Sequence, residues 1–155
     1  MGKPPPIEVC NGQRKIPVSV PSLNAFAKIA LSLAWPRRRR GAEIASVSRV
    51  LVSIVGDKRM AQLHKKFCGI PGPTDVLTFQ HGEIIISAQT ARRQARNFRS
   101  SLNQELRLYL LHGLLHLCGY DDQAHPHRVT MERIQQELLT VAGTRLGARS
   151  SRQVG

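Results

Sequence analysis

The chain has 155 residues, 41% of them apolar, which suits one domain with a core of its own. Twenty-three Lys and Arg against ten Asp and Glu leave a formal charge of +13, a balance that favours a polyanionic partner, nucleic acid being the commonest. With only four Phe, two Tyr and one Trp there is little material for a platform that stacks several unpaired bases, so contact with nucleic acid is expected to lean on phosphates.

Residues 7–10 and 14–18 are short and β-prone, and Asn11-Gly12 between them signals a hairpin. Ser22 is an expected N-cap for an amphipathic helix carrying Leu23, Phe26, Ala27, Ala30, Leu31 and Ala34, which Pro36 ends. Four arginines, Arg37 to Arg40, follow as a solvated loop or an RNA contact. The β-branched run from Ser46 to Val55 reads as a central strand. Gly56-Asp57 opens a helix with Met60, Leu63, His64 and Phe67, and residues 68–75 form a Gly- and Pro-rich loop. Val76 to Gln80 and Glu83 to Ser87 read as strands joined by the His81-Gly82 turn.

Ser87 then caps a basic helix to Phe98, a histidine-bearing helix covers Leu102 to Leu117, and a last helix runs from about His127 to Val141. The expected fold is a single α+β domain over residues 1–143, with a small mixed β-sheet of about four strands covered by about five helices. Residues 144–155 are expected to form a basic flexible tail.

Cys10, Cys68 and Cys118 are odd in number and show no paired spacing, which fits reduced thiols in the cytoplasm. The apolar runs Ile29 to Trp35 and Leu108 to Leu117 are too short to span a membrane. Residues 1–6 lack the apolar core of a signal peptide, and Pro6 stands where a myristoylation signal wants Ser or Thr; no export and no membrane partner are expected.

The most informative segment is His112-Gly113-Leu114-Leu115-His116-Leu117-Cys118-Gly119-Tyr120-Asp121-Asp122. Imidazoles four residues apart on a helix lie one turn above the other and can hold one metal ion. The apolar face formed by Leu106, Tyr109, Leu110, Gly113, Leu114 and Leu117 puts both rings at its border, where a polar ring needs a partner, either a metal or a backbone carbonyl. Gly119 stops the helix, so a donor between Tyr120 and His127 can swing back to the same ion. Cys118, on a different face, reads as core. A His-Glu-x-x-His peptidase is disfavoured because Gly113 stands in place of the glutamate base.

Three segments in order resemble the YbeY-type bacterial rRNA maturation factors. The histidine segment is similar to that family's His-Gly-x-Leu-His-Leu-x-Gly-Tyr-Asp-His, Pro73-Thr74-Asp75-Val76-Leu77-Thr78-Phe79 to its Pro-Thr-Asn/Asp-Val-Leu-Ser-Phe, and Gly82-Glu83-Ile84-Ile85-Ile86-Ser87 to its Gly-Asp-Ile-x-Ile-Ser. The resemblance implies a cytoplasmic metallo-endoribonuclease, with one Zn2+ per chain. Its action would be on single-stranded rRNA of the small ribosomal subunit, in 16S 3′ end maturation and ribosome quality control.

Carried residue by residue, the resemblance implies His112, His116 and Asp122 as metal ligands, with Asp122 where the family has a third histidine and His125 as a rival. The ion would activate water or polarise a phosphate. Asp121 and Lys66 are expected in catalysis, with Glu83 an alternative to Asp121 for orienting a histidine. Lys65, Thr74, Asp75, Arg92 and Arg93 are expected to hold substrate. Cys68 stands where the family places an arginine, and a thiol cannot hold a phosphate as a guanidinium does. The competing reading is therefore a weakly catalytic or non-catalytic rRNA-binding assembly factor with a structural metal.

Overall fold

The computed structural model describes the backbone of residues 2–154 and the side chains of residues 2–148. Four strands, β1 (Ile7–Asn11), β2 (Val50–Val55), β3 (Val76–Phe79) and β4 (Glu83–Ser87), form one mixed sheet in the order β1-β2-β4-β3. β1, β2 and β4 run parallel, and β3 pairs antiparallel with β4 at the edge. Five helices accompany them: α1 (Val20–Ala34), α2 (Asp57–Cys68), α3 (Ala88–Asn97), α4 (Leu102–Leu117) and α5 (His125–Val154). The expected α+β class, strand number and helix number all hold.

Alternation along the strands divides the core in two. Val50, Val52, Ile54, Ile84 and Ile86 share the main core with buried residues of α1, α3, α4 and α5, whereas Ile85 packs with Met60 and Leu63 of α2, with Val55, Leu77 and Phe79 beside it. α4 is buried almost all round: Leu106, Leu110, Leu111, Leu114, Leu115 and Leu117 are each at most 2% exposed. Each such leucine contributes about 1.5–3 kcal/mol by leaving water, so packing rather than intrinsic helix preference holds this helix in place. Ser101 and Gln104 close a reciprocal capping box at its start.

Several expected boundaries move. Residues 14–18 do not form a hairpin with β1; β1 lies parallel to β2 instead, and Gly12 N–H extends that pairing to Ile54 O at 2.8 Å. Gln13 holds the following segment in a tight loop through Ile16 N–H and O, and Pro17 has no N–H for a ladder. Ser19, not Ser22, caps α1, because Pro21 in the first turn needs no partner for a missing N–H. β2 begins at Val50, since Glu43–Ala45 form a 3-10 turn closed by Ser46. The last helix starts at His125 and continues past Val141 to Val154; Ala142 is buried and Leu146 packs on the core, with no proline to end it.

Candidate metal centre

The end of α4 is built to return the chain to the histidines. Gly119 takes φ +96°, its N–H donates to His116 O, and Tyr120 N–H donates to Leu115 O, the paired bonds of a left-handed helix stop. The Tyr120 hydroxyl donates to Arg37 O at 2.6 Å, and Arg39 N–H donates to Cys118 O, so the arginine run wraps this stop. Arg37 also pairs with Glu137 of α5 at 2.8 Å, Arg38 stacks on Trp35 and Arg39 on Tyr120. Three of the four arginines thus have structural contacts in addition to charge.

Beyond the stop, Asp122 faces the imidazole pair. His112 Nε2 and His116 Nε2 lie 3.1 Å apart, His112 Nε2 is 3.4 Å from Asp122 Oδ2, and His116 Nε2 is 3.8 Å from Asp122 Oδ1. A tetrahedral ion bound at 2.0–2.1 Å holds its donor atoms about 3.3 Å apart; the two imidazole nitrogens stand near that spacing, and the Asp122 carboxylate approaches each ring through a different oxygen. The side chains are 25%, 29% and 43% exposed, so solvent reaches them. Among the described residues, these three are the group whose ligand atoms lie within 4.8 Å of one another. His125 opens α5 and is exposed, outside that group.

Gln135 of α5 accepts from His112 Nδ1 at 2.9 Å when that nitrogen carries the proton, which leaves Nε2 free to ligate. Burial lowers the pKa of His116, the neighbouring His112 lowers it further, and the attraction of Asp122 only partly offsets them. The ring is thereby kept neutral, the form that binds metal. Gln135 was not among the expected residues; its one signal in sequence is a polar side chain beside Ile134 on a stripe with Met131 and Leu138.

The group opens into a cavity of about 530 Å³ whose walls include Glu43, Asp75, Thr78, Gln80 and Gln123. Asp75 is the one expected substrate residue that lines it. Its Oδ1 accepts from Val76 N–H at 2.8 Å, and the Thr74 hydroxyl lies 3.4 Å away. Asp121 faces elsewhere, accepting from Gln123 N–H at 3.2 Å and lying 4.0 Å from His127. Glu83 lines a different cavity and contacts His81.

Lys65 and Lys66 end α2, exposed, with the Lys66 ammonium over Phe67 rather than beside the histidines. Arg92 is exposed on α3. Arg93 is engaged internally, bonding Asp57 and, at 3.0 Å, the Thr90 hydroxyl. Cys118 is fully buried, and burial pushes its thiol up to about 12, as expected of a packing residue. Cys10 and Cys68 are free and exposed.

A family model described as Endoribonuclease YbeY matches residues 8–143. The chain belongs to that family. A relative named Endoribonuclease YbeY from Thermodesulfovibrio yellowstonii is 30% identical over 86% of this chain and 95% of its own length. One of the same name from Pelotomaculum thermopropionicum is 33% identical with the same coverage. A third, from Anaeromyxobacter sp., is 36% identical over 69% of this chain, a match spanning 63% of that longer protein. The solution structure of a Thermotoga maritima protein superposes with TM-score 0.65 at 25% identity, covering 94% of this chain and 95% of that one.

YbeY proteins are hydrolases of RNA phosphodiester bonds, and the centre at His112, His116 and Asp122 is a group that can hold the metal such a nuclease depends on. The peptidase alternative fails on packing. A Cβ on Gly113 would stand 2.6 Å from Ile84 Cγ2, leaving no room for a glutamate on that face of α4.

Proposed function

We propose that this chain is a zinc-dependent endoribonuclease that cuts single-stranded rRNA of the small ribosomal subunit in the cytoplasm, in maturation of the 16S 3′ end and in ribosome quality control. The observation that carries the reading is the cluster of His112, His116 and Asp122, whose ligand atoms lie within 4.8 Å of one another on the wall of an open cavity, in a chain of charge +13. His112, His116 and Asp122 hold the ion, with Gln135 orienting His112. When bound, a divalent ion with an open position polarises a phosphoryl oxygen and activates water.

Around it, the protein's own groups divide the remaining work. Besides Asp122, the carboxylates that line the same cavity are Asp75 and Glu43, and either can take or give a proton to a reacting oxygen there. Asp121 shapes the loop that presents Asp122. Lys65, Lys66, Thr74 and Arg92 meet substrate phosphates, while Arg93 supports them indirectly by fixing α2 to α3.

Cleavage of single-stranded RNA by the native chain, by His116→Ala and by a chelated sample tests this. The native, metal-loaded protein is expected to cut at least about a hundredfold faster than the other two. Equal, low activity in all three overturns the enzyme reading, and RNA binding that persists then supports an assembly factor. The exposed Cys68 is the observation favouring that second reading. Cys68→Arg restores a bidentate phosphate donor and is expected to raise cleavage about tenfold.

A further inference from the structure

The sheet face turned toward α2 carries a second cavity, of about 520 Å³, within the range that takes a nucleoside-sized ligand. Three of the chain's few rings converge on it. Phe67 and Phe79 meet edge to face with centroids 5.0 Å apart, and His81 stacks on Phe79 at 5.7 Å and 24°. Phe67 is nevertheless 56% exposed, a large ring the fold leaves uncovered beside the apolar floor of Leu63 and Ile85.

One wall is polar and rich in acceptors. The Glu83 carboxylate lies 3.1 Å from His81 Nε2 and accepts from the Ser53 hydroxyl at 3.5 Å. An ionised carboxylate offers about four lone-pair sites, so two fixed contacts orient it and leave acceptor capacity. Arg59 stands at the rim, and the Lys66 ammonium lies 5.3 Å from the Phe67 ring centroid. Aromatic faces, an orienting carboxylate and flanking cations are the chemistry that recognises a splayed-out base with its phosphate.

We propose that this cavity takes a single unpaired guanine of the RNA. Guanine alone among the four common bases presents two adjacent N–H donors, at N1 and N2, which a carboxylate accepts side by side. Adenine and cytosine offer an amino group next to an acceptor nitrogen that a carboxylate oxygen repels, and uracil offers one N–H between two carbonyls. The two cavities share no lining residue, yet Gln80 lines the metal cavity while its neighbours Phe79 and His81 line this one. A strand crossing the turn between β3 and β4 therefore meets both. That placement in the cleaved strand rests on the ribonuclease reading above, whereas the base site does not.

Binding of the four nucleoside 5′-monophosphates to the full chain in chelator, followed by calorimetry and by amide shifts, separates the two ideas because it needs no metal and no turnover. GMP is expected to bind at least about tenfold tighter than UMP or CMP, with shifts at Phe67, Phe79 and His81. Glu83→Gln keeps the side-chain shape and is expected to abolish the preference, and Phe67→Ala, at an exposed position, to weaken all four by about tenfold. Melting curves matching the native chain certify both variants as folded, and His81→Ala replaces either one that melts early. No nucleotide binding at millimolar concentration, a GMP preference that survives Glu83→Gln, or affinities that Phe67→Ala leaves unchanged overturns the base site. Loss of cleavage in chelator with GMP binding intact leaves the base site standing.

Discussion

Gly113 sits where the histidine helix touches the sheet, and a single methyl there is already too large: the added Cβ would meet Ile84 Cγ2 at 2.6 Å and Cδ1 at 3.1 Å. Gly113→Ala is expected to cost about 1–3 kcal/mol by overpacking, read as a lower urea midpoint. Combined with Ile84→Ala, it should cost less than the sum of the two single changes, since the smaller neighbour removes the clash. At the metal centre the residue-scale argument concerns donors and their orientation. Asp122→Ala removes one of the three proposed ligands, and Gln135→Ala frees the His112 ring while leaving all three. In competition with a coloured chelator, the Gln135 variant should lose about 10–100-fold in metal affinity and the Asp122 variant more, whereas Asp122→His should retain binding. An unchanged affinity in Gln135→Ala would remove the orienting role given to that bond.

Helices α2 and α3 are tied at their first turns by Asp57, whose carboxylate accepts from the hydroxyls of Ser87 and Thr90, both at 2.7 Å, and from Arg93. Burial raises the pKa of this carboxyl, but the bonds from Arg93, Ser87 and Thr90 outweigh it and hold the group below its ordinary value of 3.8. The unfolded chain therefore protonates first as the pH falls. The stability this element supplies is complete above the ordinary carboxylate value and is lost as the pH drops through the lower, folded value. Urea unfolding between about pH 6 and about pH 2 should show that decline, and Asp57→Asn should flatten it. At neutral pH the substitution is expected to cost about 1 kcal/mol, the low end for charged bonds because Arg93 is 54% exposed. A pH profile identical in the variant would show that the tie carries no pH-dependent stability.

Across the whole molecule, charge governs the encounter with RNA and packing governs where catalysis can occur. Binding of single-stranded RNA should weaken with salt by about 0.7 logarithmic units per phosphate neutralised, so Lys65→Ala and Arg92→Ala should each reduce the slope by about 0.7. Arg93→Ala should instead lower stability, because its guanidinium serves Asp57. A slope unmoved by the first two changes would take Lys65 and Arg92 off the RNA path. Local rules in the sequence determined much of this protein: the alternation of β2, the β-branched run of β4, the serine cap of α3, the glycine stop after α4 and the i, i+4 histidine pair all follow from contacts within a few residues, while Asp122 is singled out by the family resemblance. Only the tertiary structure decided that β1 pairs with β2 rather than with its neighbour, that Gln135 reaches His112 from 23 residues away, that Arg93 is engaged by Asp57, and that Phe67, Phe79 and His81 meet. The reason is physical. Strand partners and ligand supports are chosen by which distant surfaces bury together, and periodicity along a chain records which face is apolar without naming the surface that will cover it.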